Sequence, residues 1–210
     1  MRITGGVFRS RALTAPRGQE TRPTSDRVRE ALFSMLASDG VFAAELGPRV
    51  LDLYAGSGAL GLEAISRGAR SAVLVESARP ALAAIRENVR ALGVEREVRV
   101  LAARVERALD AVEGPFDLAL VDPPYADVRT PSFGAILAEV AARLAPSGVL
   151  VLEHASADEP PPAAGLTLDR RRRHGDTTLS LFRRSEPSER PEPSAGDDGD
   201  AGRADDAAHE

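Results

Sequence analysis

The chain has no cysteine, no lysine and only three histidines. Without cysteine there can be no disulfide, zinc–thiolate site, iron–sulfur cluster or thiol nucleophile. His154, His174 and His209 are scattered along the chain, so a histidine-rich metal site is not expected and no metal is assigned. No apolar run approaches the ~18 residues that suggest a membrane span. The opening MRITGGVFRS has no apolar core of the signal-peptide kind. These absences lead us to expect a cytoplasmic protein without a membrane partner. All 27 basic residues are arginine, which with the abundant alanine reads as a compositional bias rather than a functional device.

A net charge of −5 conceals two opposite regions. Residues 186–210 hold nine acids and two arginines, and residues 1–29 hold seven arginines and two acids. The acidic tail is rich in Pro, Ser and Gly, buries too little apolar surface to offset its ordering entropy, and is expected to be disordered. The basic N-terminal stretch suits phosphate contacts, although an arginine-rich solvated surface would look the same. Three regions follow: an extension over 1–40, a main domain over 41–185 and the tail over 186–210.

Residues 1–15 read as two short strands around Gly5-Gly6. Helical spacing of Val28, Ala31, Leu32, Met35 and Leu36 predicts a helix from about Ser25 to Leu36, with Thr24 or Ser25 as its cap. From residue 49 apolar runs and helical patterns alternate: RVLDLYA, ALGLEAISRG, SAVLVE, ARPALAAIRENVRALG, VRVLAA, RVERALDAV, FDLALVD, PSFGAILAEVAARLAP and GVLVLEH. LTLDRRRR and TTLSLFRR, joined by HGD, close the series as an antiparallel hairpin. This pattern predicts an α/β fold with a doubly wound, mostly parallel sheet, and a ligand at the carboxyl ends of the strands.

Two motifs carry the chemistry. Gly56, Gly58 and Gly61 form G-x-G-x-x-G between the first strand and a helix, with Glu76 at the next strand end. Glycine there allows close approach of a ligand to the backbone, and an acid twenty residues on suits ribose hydroxyls. The motif alone serves a nicotinamide dinucleotide or S-adenosylmethionine equally well. The second motif is VDPPYAD at 121–127. Consecutive prolines make a rigid turn that fixes Asp122, the carbonyl of Pro123, Pro124 and the ring of Tyr125. Two acceptors beside a flat ring suit an exocyclic amino group on a planar base. A dehydrogenase has no need of that arrangement, so S-adenosylmethionine is favoured.

LDLYAGSGALGLEAISRGA followed by VDPPY resembles the amino-group methyltransferases. RPTSDRVREALFSML over 22–36 and HGDTTLSLF over 174–182 narrow this to the RsmD-type 16S rRNA (guanine-N2-)-methyltransferases. The resemblance spans roughly residues 1–184. It implies a Rossmann-like class I methyltransferase fold, with a small N-terminal β-hairpin and helix added. It implies S-adenosylmethionine as cofactor and, as partner, 16S ribosomal RNA in the small subunit or a late assembly intermediate, with guanine 966 as the methylated base. A monomer is expected.

By motif match, Asp52, Ala55, Gly56, Ser57 and Gly58 would line the cofactor, Glu76 would hold its ribose, and Asp122 to Tyr125 would grip the guanine amine. Many relatives place an Asp or Asn after the third strand, against the adenine. This chain has Arg104 there and no acid until Glu106, leaving a backbone N–H as the contact from that loop. Arg9, Arg11, Arg22, Arg27 and Arg29 are the expected RNA phosphate contacts. A DNA adenine-N6 or cytosine-N4 methyltransferase would use the same motifs but usually carries an added recognition region, which this chain is too short to hold. Glutamine methyltransferases of this kind favour Asn at the place of Asp122. An NAD-dependent oxidoreductase would leave DPPY unexplained.

Overall fold

The computed structural model describes residues 1–16 and 26–185. Arg22, the expected caps Thr24 and Ser25, and the acidic tail lie outside the described residues.

After α1 (Asp26–Ser38) the chain alternates β1 (Arg49–Leu53), α2 (Ala59–Ser66), β2 (Ser71–Glu76), α3 (Arg79–Leu92), β3 (Val98–Ala102), α4 (Val105–Asp110) and β4 (Phe116–Val121). It continues through α5 (Tyr125–Val128), α6 (Phe133–Ala142), β5 (Leu144–Ala155), β6 (Leu166–His174) and β7 (Thr177–Arg184). The strands form one seven-stranded sheet in the order β3-β2-β1-β4-β5-β7-β6. Strands β1 to β5 are parallel, and β7 runs antiparallel to both β5 and β6. Helix α5, which begins at Tyr125 directly after the two prolines, is not apparent in the sequence pattern.

Each central strand is apolar on both sides because helices cover both faces. On one face α1, α2 and α3 bury Leu32, Phe33, Leu62 and Ile85 against Val50, Leu74, Leu120 and Val151. On the other, α4 and α6 bury Val105, Leu109, Phe133 and Leu137 against Leu51, Leu53, Val121 and Leu152. The order of strands reverses direction between β1 and β4, which opens a crevice at their carboxyl ends.

The two strands expected in residues 1–15 are present as a hairpin-like loop with a single bridge, Arg2 to Ala12. The backbone departs from extended pairing because it turns to dock on α2. Val7 N–H donates to the Ser66 carbonyl at 2.8 Å, and Ser66 Oγ donates to the Gly5 carbonyl at 2.6 Å. At Gly6, with φ of +76°, a side chain would collide with the Ser66 carbonyl, so glycine is required for this approach. Ile3 and Leu13 then enter the same apolar cluster as the α1 and α2 side chains.

Candidate active site

At the carboxyl ends of the parallel strands lies a cleft of about 840 Å³. It gathers the glycine loop (Ala55, Gly56, Ser57), Glu76, Arg104 and the whole Asp122–Tyr125 turn. Residues about sixty positions apart in sequence meet because β1 and β4 are neighbours, with Leu53 opposite Val121.

Gly56 and Gly58 both have positive φ, +57° and +79°, which bends the chain sharply from β1 into α2. Gly56 N–H donates to Glu76 Oε2 at 2.9 Å, and Ser77 and Ala78 N–H both donate to Oε1 at 2.7 Å. Three backbone donors therefore fix the Glu76 carboxylate at the cleft wall. Asn88 locks the loop from behind, donating to the carbonyls of Ser57 at 2.9 Å and Thr14 at 3.0 Å. Tyr125 is held at the other end, its hydroxyl 2.9 Å from Thr177 Oγ1 on β7. Among the described residues nothing donates to the Pro123 carbonyl, while that of Pro124 accepts from Asp127 N–H at 2.8 Å.

Two of the expected cofactor residues stand behind the wall. Asp52 and Gly58 are buried and take no part in the cleft lining. Asp52 Oδ2 accepts from Gly61 N–H at 2.8 Å, tying strand to helix, and its Oδ1 has no hydrogen-bond partner. A Cβ at Gly61 would sit 2.2 Å from Leu74 Cδ2, so this third glycine serves close packing of α2 on the sheet. Burial pushes the Asp52 carboxyl up from 3.8 to about 7; the Gly61 N–H lowers it and the Glu76 charge raises it. A folded-state value above the unfolded one means that Asp52 contributes stability fully below about pH 3.8 and loses it as pH rises through about 7. Between pH 4 and 8 the parent protein is expected to lose on the order of 4 kcal/mol relative to Asp52→Asn. Parallel melting profiles of the two across that range would contradict this.

The basic residues expected to contact RNA divide. Arg9 and Arg27 are exposed and share a polar hollow of about 330 Å³ with Arg2, Asp26 and Glu30. Arg11 is exposed but turned to α3, donating to the Ala91 carbonyl at 2.7 Å. Arg29 is a correction: its side chain is fully buried, so it cannot meet RNA phosphate. Its guanidinium donates to Glu63 at 3.4 Å, to Asp26 at 2.7 Å and to the Arg2 carbonyl.

The cleft also holds residues to which the motifs assigned no role: Tyr54, Glu106, Asp127 and Glu153. Tyr54 has φ of +60°, rare for a side chain of its size and frequent at functional sites. Burial, then the charges of Asp127 and Glu106, push its hydroxyl up to about 12. Glu106 supplies an acid at the loop where Arg104 replaces the expected one. Five carboxylates thus line the cleft, Glu76, Glu106, Asp122, Asp127 and Glu153, against the arginines 29 and 104. Such a lining favours a cationic ligand and repels a pyrophosphate.

Comparison with known proteins identifies the family. A family model described as conserved hypothetical protein 95 matches residues 1–183. The Bacillus subtilis protein YlbH, a candidate rRNA methyltransferase, is 33% identical over 188 residues, 88% of this chain and 99% of that one. Ribosomal RNA small subunit methyltransferase D of Escherichia coli K12 is 41% identical over 125 residues, 60% of each chain. The solved structure of yhhF from Escherichia coli, a candidate methyltransferase, superimposes with a TM-score of 0.74 at 33% identity, covering 89% of this chain and 99% of that one. The chain belongs to the conserved hypothetical protein 95 family, that of the RsmD-type ribosomal RNA methyltransferases.

Proposed function

We propose that this rRNA methyltransferase acts on the exocyclic N2 amine of a guanine in 16S ribosomal RNA, the base at position 966 that the resemblance implies. Its substrate would be the small subunit or a late assembly intermediate, and it would work as a cytoplasmic monomer. The observation that carries the reading is that one acidic cleft contains both the glycine loop and the DPPY turn.

The cleft suits S-adenosylmethionine, whose sulfonium and ammonium charges five carboxylates would attract. At Gly56 an added Cβ would meet nothing nearer than the Tyr54 carbonyl at 4.0 Å, so it would project into the open cleft where a ligand must lie. Glu76 would accept from the ribose, and Val75, Ala103 and Val105 offer apolar walls beside it. Glu106 would face the adenine amine. When bound, the cofactor supplies an electrophilic methyl group.

The chain's own task is to make a poor nucleophile attack. The guanine N2 lone pair is delocalised into the ring. Asp122 and the Pro123 carbonyl would accept its two N–H hydrogens, favouring a tetrahedral nitrogen with an exposed lone pair. Positioning and electrostatics then supply most of the acceleration. Asp122 is also placed to take the proton that the nitrogen releases. The base must leave its stack to enter, and the Tyr125 ring, held by Thr177, would replace part of the lost stacking.

Glu76→Ala is expected to weaken S-adenosylmethionine binding roughly 10- to 100-fold by calorimetry, the loss of a charged acceptor. Affinity within twofold of the parent would remove Glu76 from the cofactor site. The proposal as a whole is tested with methyl-labelled S-adenosylmethionine offered small subunits lacking their native methylation, free 16S RNA and duplex DNA in parallel. Label is expected in subunit RNA; label in DNA alone would overturn the assigned substrate.

A further inference from the structure

The acidic interior that suits the cofactor repels RNA phosphates, so the nucleic acid must be held at the rim. The N-terminal arm reaches one side of that rim through Met1, Ala15 and Pro16, with the exposed arginines 9 and 27 in a separate hollow beyond it. The opposite side is formed by the β6–β7 hairpin, whose arginine run 170–173 the cofactor chemistry leaves unused.

The register shows where each arginine lies. Arg172 pairs with Leu179 of β7, and Leu179 pairs with Glu153 of β5. Leu152, one residue before, pairs with Val121, one residue before Asp122. Directly opposed residues share a face of a sheet. Asp122, Glu153, Leu179 and Arg172 therefore form one row across the same face, at the carboxyl ends of the parallel strands. With strands ~4.8 Å apart, Arg172 lies roughly 14 Å from Asp122 along this row. Two rows further on, and so on the same face, Thr177 pairs with His174 of β6 and also holds the Tyr125 hydroxyl at 2.9 Å. The hairpin end is thus joined directly to the proposed base pocket.

The neighbouring arginines are engaged. Arg170 is 3.0 Å from Asp39 and 3.1 Å from Asp169, Arg171 is 3.0 Å from Glu159, and Arg173 Nε donates to the Gly175 carbonyl at 2.9 Å. Arg172 is exposed and, among the described residues, its side chain has neither an ion pair nor a hydrogen bond. Burial does not compel an arginine there, and ion pairing does not occupy it. Its distance from Asp122 is about two nucleotide steps, which suits a phosphate flanking an extruded base.

We propose that the open end of the β6–β7 hairpin is a second RNA-docking surface, with Arg172 contacting a backbone phosphate close to the target base, on the side of the cleft opposite the arm. This rests on the rRNA reading and adds a contact that the motifs do not contain. RNA would be gripped on both sides of the pocket while only the base enters the acidic cleft.

The test compares the parent, Arg172→Glu, Arg172→Lys and Arg96→Glu as full chains. Arg96 is an exposed residue just before β3, at the opposite end of the sheet. Binding to 16S RNA fragments containing the target is measured from 50 to 200 mM salt, with S-adenosylmethionine binding as the fold control. Arg172→Glu is expected to reduce the slope of log K against log salt by about 0.7 to 0.9, the value of one phosphate contact. The KM for RNA should rise several-fold with cofactor affinity unchanged, while Arg172→Lys keeps the parental slope. An unchanged slope in Arg172→Glu, or an equal fall in Arg96→Glu, would overturn the hairpin contact while leaving the rRNA reading in place. A parent that binds cofactor but shows no salt-dependent RNA binding would overturn both.

Discussion

Asp122→Ala is expected to lower kcat for methyl transfer by about 10²- to 10⁴-fold, while S-adenosylmethionine affinity stays within about twofold of the parent. The expectation follows from geometry. Asp122 lies at the end of β4, directly before the rigid Pro123-Pro124 turn, and lines the cleft on the side where Tyr125 stands. It is on a different strand from the loop and carboxylate assigned to the cofactor. Removing it would delete the proposed acceptor for the amine and the proposed site for the released proton, while leaving the Gly56–Glu76 bond intact. Asp122→Asn separates the two roles: it keeps a carbonyl acceptor but has no carboxylate to receive a proton. An intermediate loss in Asn would show that the acceptor geometry matters by itself. Equal loss of turnover and cofactor affinity in Asp122→Ala would contradict a role confined to the amine.

The second large effect concerns stability. Glu63 is fully buried in α2 and accepts from Thr4 N–H at 2.7 Å, Thr4 Oγ1 at 2.7 Å, Arg67 Nε at 2.7 Å and Arg29 Nε at 3.4 Å. Arg67 also lies over the Phe33 ring, 5.4 Å from its centroid. One carboxylate thus joins the arm, α1 and α2. In Glu63→Gln an amide nitrogen meets these donors, and the buried Arg29 guanidinium loses a charged partner. Breaking a buried pair from one side costs about 3–5 kcal/mol, which corresponds to a fall in Tm of roughly 10 °C for a chain of this size. The arm reaches the cleft through Met1, whose Sδ is 3.7 Å from Ser57 Oγ, so cofactor affinity should fall as well. A Tm within about 1 °C of the parent would mean that the network contributes little.

Much of this was legible from residue order. Continuous apolar runs such as SAVLVE marked strands buried on both faces, and the glycine loop and DPPY turn were both expected at strand ends. Their meeting in one cleft follows from the sheet order. The sequence misled where a polar residue faces inward. Helix α1 was expected to bury a stripe including Val28, Ala31 and Met35. Of that stripe Leu32 and Leu36 are fully buried, Val28 and Met35 pack half-buried against the same core, and the residues not expected inside are Phe33 and Arg29. Arg29 looked like surface because its partner Glu63 is 34 positions away. Glu63 did leave a trace, as a single acid within the otherwise apolar ALGLEAIS. Asp52 is similar: its position beside the glycine loop suggested a ligand contact, but its side chain faces α2 and bonds Gly61. Tyr54, Glu106, Asp127 and Glu153 belong to four separate segments, and only the folded chain shows that they line one cleft.

The most direct measurement is nucleoside analysis by mass spectrometry of 16S RNA from undermethylated small subunits, after incubation with this protein and methyl-labelled S-adenosylmethionine. One labelled nucleoside is expected, N2-methylguanosine, mapped to the base at position 966 and absent with Asp122→Ala. Label at a ring nitrogen, a ring carbon or a ribose hydroxyl would contradict the assignment of Asp122 and Pro123 to an exocyclic amine, and label on an adenine or cytosine amine would contradict guanine as the target.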